Sequence, residues 1–149
     1  CYMKKYILLG IAIFLSVCAT AAPPTNKSEL TGNALAAFEH ICLETAPSFG
    51  TAEKAALNYG VMHFKALDSI KAGTSQGYDV QIQENVGCSI IFASQKDSTI
   101  TSRFLALVQK HTKQKIGKKE PATIHIEGQN FMVIHERKNA EMFILLKAD

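Results

Sequence analysis

Hydrophobic residues change their spacing near residue 78, and that change limits the architectures open to the chain. Before it, Leu35, Phe38, Ile41 and Cys42 recur at helical intervals over about 33–45, a segment that Asn33 can cap. Pro47 ends it. Thr51 can cap a second helix over 52–58, with Glu53 favourable in its first turn and Gly60 as its stop. Val61, Phe64, Leu67 and Ile70 keep a spacing of three and allow a third helical stretch. Past a loop at 73–77, Tyr78, Val80 and Ile82 alternate with polar residues, the period of a half-buried strand. Cys88, Ile90 and Phe92 repeat that period after a turn at 84–87. Pairing Ile82 with Cys88 would bring all six onto one face.

Asp97 or Ser98 can cap an amphipathic helix reaching about residue 111, with Ile100, Phe104, Leu107 and Val108 as its apolar positions. Pro121 opens three closely spaced strands over 123–127, 130–137 and 140–147, with tight turns at Gly128-Gln129 and Lys138-Asn139. The expected order is two or three helices, two strands, a helix and three strands. That is an α+β fold: an antiparallel sheet of about five strands packed by two to four helices.

The ends and the cysteines bear on compartment. Met3, Lys4 and Lys5, an apolar run over 6–17 and Ala19-Thr20-Ala21 have the three parts of a secretory signal, expected to span 1–21. Cys1 and Tyr2, ahead of Met3, lie outside that pattern. Cleavage after Ala21 would leave 128 residues with a net charge of +1 instead of +3. That is too little for overall basicity to imply nucleic acid. The apolar run is short for a membrane span, which needs about 20 residues. Residues 22–32 are polar, contain Pro23-Pro24 and are expected to form a flexible arm before a single domain over 33–149. Cys18 offers an alternative, lipidation and membrane tethering, although Val17 is bulky for the position before a lipidated cysteine. Cys42 and Cys88 form an even pair, and in an oxidising compartment a disulfide is expected. The bond would place the helix face carrying Cys42 on the sheet face carrying Cys88.

Three features stand out. The last three strands are more apolar than a sheet with one wet side requires. With two-residue turns, Ile124, Ile126, Phe131, Val133, His135, Met142, Ile144 and Leu146 share one face. His125, Met132, Ile134, Phe143 and Leu145 share the other. The second set is the expected partner-binding surface, with Met132 and Phe143 as anchors, unless helices cover it. Lys110, Lys113, Lys115, Lys118 and Lys119 form a basic run that could hold an anionic or acidic surface, though such runs are more often solvated helix ends. The run has no Arg and no interleaved aromatics, which argues against nucleic acid. The five histidines show no metal-ligand spacing, so no metal and no cofactor are expected.

No nucleophile–base motif and no phosphate-cradling glycine pattern occurs. The expected function is therefore that of a small, non-catalytic, periplasmic or secreted protein that binds a protein partner or itself. Inhibitors and immunity proteins of the bacterial envelope offer an analogy of size and compartment. The alternatives are a small periplasmic enzyme with a dispersed active site and an envelope lipoprotein.

Overall fold

A computed structural model describes residues 27–149. Helix α1 (Lys27–Ala37) continues without a break into a π-helical segment, Phe38–Leu43, and is followed by α2 (Ala52–Asn58). Four strands come next, β1 (Met62–Leu67), β2 (Ile70–Thr74), β3 (Asp79–Gln83) and β4 (Gly87–Phe92). Helix α3 (Ile100–Thr112) then precedes β5 (Ala122–Ile126), β6 (Gln129–Glu136) and β7 (Glu141–Lys147). The strands form one antiparallel sheet in the order β1-β2-β3-β4-β7-β6-β5. Among the described residues the fold is thus α+β with an antiparallel sheet, of seven strands instead of about five.

The two extra strands come from the segment expected to continue the helical spacing. A register irregularity between Met62 and Lys65, with His63 at φ 57°, shifts β1 by one residue. Val61 and Phe64 then both turn inward, and a spacing of three results without any helix. Gly73 lies beneath them: a Cβ there would meet Val61 and Phe64 at 2.7–2.8 Å, so only glycine admits this approach.

The first helix begins earlier than the capping pattern indicates. Residues 27–32, expected in the arm, form its first turns. Its buried side is built from the small residues Thr31, Ala34 and Ala37, which make no stripe of large apolar side chains. Residues 22–26 of the arm and the expected signal over 1–21, with Cys18, lie outside the described residues.

The helices pack on one side of the sheet. Beneath them lie Val80, Ile82, Cys88, Ile90, Phe92, Phe131, Val133, Phe143 and Leu145. Ile82 pairs with Cys88 as the alternation requires, and Cys42 is disulfide-bonded to Cys88 with Cα atoms 5.4 Å apart. An aromatic cluster joins the layers. Phe104 of α3 stacks on Phe143 of β7 at 4.5 Å, and Phe38 meets Phe104 edge-on at 5.0 Å.

Candidate functional site: the open face of the sheet

The sheet's second face is set by the parity of the β6–β7 register. Val133 pairs with Leu145 and His135 with Phe143. The expected two-residue turn at Lys138-Asn139 would instead have placed Val133 with Ile144. The real connection is odd, because Glu136 pairs with Met142. Arg137 closes it by folding back onto Glu141, with Nε 2.6 Å from Oε1, while its Nη2 donates to the Gln95 carbonyl at 2.9 Å. One residue of slip exchanges the faces of a strand. Phe143 and Leu145, expected on the partner-binding surface, are therefore core residues with no exposure. Met132, Ile134 and His125 do share the outer face, and Met142, Ile144 and Leu146 replace the two lost positions.

With Ile91 of β4, these residues make a continuous apolar patch across β4, β7 and β6. Its side chains are half-buried by one another, and every helix among the described residues lies on the opposite side. Beside Met142, Ile144 and Leu146 runs a groove of about 220 Å³. Its floor is β4, where Gly87 and Ser89 carry little bulk, and Ile70, Gln81, Gln83 and Val86 form the far wall. A Cβ at Gly87 would lie 3.0 Å from the Leu145 carbonyl oxygen, tighter than an ordinary contact, so a side chain here would crowd the strand beside it. His125 is exposed near the β5 edge, its ring bonded to the Asn130 side chain.

The basic run forms a second feature. Helix α3 ends at Lys113, which adopts the left-handed conformation at φ 55°. The chain reverses there, and Lys110, Lys113, Lys115 and Lys118 line one open cleft of about 770 Å³ with Gln109, Gln114 and Ile116. Lys119 is exposed but does not line the cleft.

A third feature has no signal in the sequence. Thr101 Oγ1 is 2.8 Å from His135 Nδ1, and His135 Nε2 is 3.2 Å from Glu141 Oε1. Glu120 accepts the His135 backbone N–H. Burial pushes the imidazole below its ordinary value, against the pull of the Glu141 and Glu120 carboxylates, and Arg137 pushes it the same way as burial. A neutral ring satisfies both neighbours, donating to Glu141 and accepting from the Thr101 hydroxyl. A hydroxyl–imidazole–carboxylate row can relay a proton in an open site. Here the His135 and Glu141 side chains are 0% and 1% exposed, so no substrate atom reaches the ring. The row fastens the β6–β7 turn to α3. Gln95, beside it, keeps a buried Oε1 without a partner among the described residues.

Comparison with protein families, curated proteins and solved structures returns no match for this chain. Among the described residues, no group of three or more His, Cys, Asp or Glu could hold a metal ion, and no helix is long and apolar enough to cross a membrane.

Proposed function

We propose that this is a small exported protein that binds another macromolecule, without catalysis, through the open face of its sheet. One observation carries the reading: Ile91, Met132, Ile134, Met142, Ile144 and Leu146 form one apolar patch on the side that no described helix covers. Contiguous apolar surface of this kind is costly to leave in water and marks contact sites. Two methionines give it adaptability. The groove along β4 adds relief that a partner's side chain can enter. The signal-like pattern over 1–21 and the Cys42–Cys88 bond support an oxidising, periplasmic or secreted location. The partner is a protein or a second copy of this chain.

A photo-crosslinking residue placed at Ile134 or Ile144 tests this. Exposed to an envelope extract and to the pure protein, those positions should give discrete crosslinked products. The same group at Lys54, on the helix side, should give none. Equal products from both faces, or none from Ile134 and Ile144, would refute the reading.

A further inference from the structure

We propose that the cleft at the C-terminal end of α3 binds the phosphate-bearing headgroups of anionic lipids at a membrane surface. It lies on other elements than the open sheet face and does not depend on that reading.

Charge distribution is the first ground. Residues 98–119 hold six of the sixteen Lys and Arg and none of the thirteen acids, so the rest of the chain is net negative. The two flanking acids are engaged elsewhere. Asp97 accepts from the Thr99 backbone and hydroxyl, and Glu120 from the His135 backbone. His111 turns away from the cleft to Glu39 at 3.2 Å. Lys and Arg ion pairs among the described residues use Lys71, Arg103 and Arg137, and none of the four cleft lysines. Their charge is therefore not neutralised within the described fold.

Order is the second ground. The loop after α3 is pinned twice by glutamine side chains. Gln109 Oε1 accepts the Ile116 N–H at 3.3 Å. Gln114 bonds both backbone groups of His125, donating to its carbonyl at 2.6 Å and accepting its N–H at 2.9 Å. These ties hold the chain reversal, so the lysines converge on one cleft instead of spreading along a tail.

The third ground is the apolar strip beside the charge. A recess of about 400 Å³, lined by Leu105, Ala106 and Ile116 with Ser102, Gln109 and Gly117, shares Ala106, Gln109, Ile116 and Lys118 with the basic cleft. Cations beside apolar surface suit a phosphate with its glycerol and acyl portion. Lysine is a compact point charge without the fixed fork of arginine, which suits headgroups that move. A purely acidic surface would leave the apolar recess unfilled, and nucleic acid would call for stacking aromatics that the cleft lacks.

Sedimentation with vesicles tests the proposal on the purified, oxidised protein. Vesicles of phosphatidylcholine carrying about one-third phosphatidylglycerol should retain the protein at low salt and release it as salt rises. Phosphatidylcholine alone should not retain it. Each of Lys113→Gln, Lys115→Gln and Lys118→Gln should weaken retention about fivefold, and all three together about a hundredfold. These side chains are exposed, so melting should be unchanged. A control triple, Lys54→Gln, Lys65→Gln and Lys138→Gln, lies outside the cleft and should retain binding. No retention by the anionic vesicles, retention by the cleft triple, or an equal loss in the control triple would overturn the site. Capture by immobilised polyglutamate with no vesicle binding would overturn the lipid assignment in favour of an acidic polypeptide.

Discussion

Alternate residues of β7 look much alike in sequence and end in opposite environments. Glu141, Phe143 and Leu145 are buried under the helices, whereas Met142, Ile144 and Leu146 lie half-exposed on the outer face. Hydropathy does not tell the two sets apart, and the one charged residue among them is on the buried side. The deciding quantity is the length of the β6–β7 connection, which sets the parity of the pairing. Arg137 and His135 hold that parity by both contacting Oε1 of the Glu141 carboxylate. A polar contact at one turn thus decides which apolar residues form the core and which remain available for contact.

The contrast breaks most readily at Phe143. Truncation to alanine removes a ring packed against Phe38, Phe92, Phe104 and His135. We expect a loss of about 3–5 kcal/mol, read from denaturant unfolding. A loss below about 1 kcal/mol would mean that the two sides of β7 have been exchanged.

The next effect belongs to the disulfide, which ties the helical layer to β4 on the same buried side. Its cysteines are 46 positions apart. Replacing both by serine should cost about 2–4 kcal/mol, and the oxidised native protein should show no free thiol at either position. Free reaction of both cysteines in native protein would contradict the bond.

These two predictions rest on features of unequal legibility. Cys42 and Cys88 were readable because each lies on a clean period, helical around Phe38 and alternating around Ile90. Ile82 opposite Cys88 followed from the same alternation. The side of Phe143 was not readable, because both faces of β7 are apolar and the turn carries no glycine to mark its length. The β1–β2 hairpin was hidden for a related reason, since a register irregularity imitates a helical interval. Of the outer surface, Met132, Ile134 and His125 are legible through the β5–β6 turn. There the two-residue turn is Glu127-Gly128, one place before the expected Gly128-Gln129, a shift that changes the pairing but keeps its parity. Four of the five lysines converge because of a left-handed residue and two glutamine ties, which no charge count reveals.

Acid should probe the buried side more gently. His135 is held below the ordinary imidazole value of 6.5, chiefly by burial. The unfolded chain therefore takes up this proton before the folded one does. The contribution is complete above about pH 6.5 and is lost as pH falls below it. Between about pH 7.5 and about pH 5.5, melting of the native protein should fall more than that of His135→Gln, which cannot take up the proton. Equal slopes in the two proteins would remove His135 as the cause.

The smallest stability change should come from the outer side of the same strand. Ile144→Thr keeps the β-branched shape that suits a strand and removes apolar contact. Ile144 is half-exposed, in line with Ile134 of β6 and Ser89 of β4. No helix among the described residues rests on it, so little packing is lost and no large cavity opens. Unfolding stability should change by less than about 1 kcal/mol. Binding should respond far more, because a central apolar residue of a contact patch carries a disproportionate share of affinity. We expect self-association or crosslinking to a partner to weaken about tenfold or more. Measured beside Phe143→Ala, the neighbouring substitution then separates folding from recognition within two consecutive residues. A stability loss from Ile144→Thr as large as that from Phe143→Ala would show that the outer face is covered. Unchanged association with unchanged stability would show that recognition lies elsewhere on the molecule.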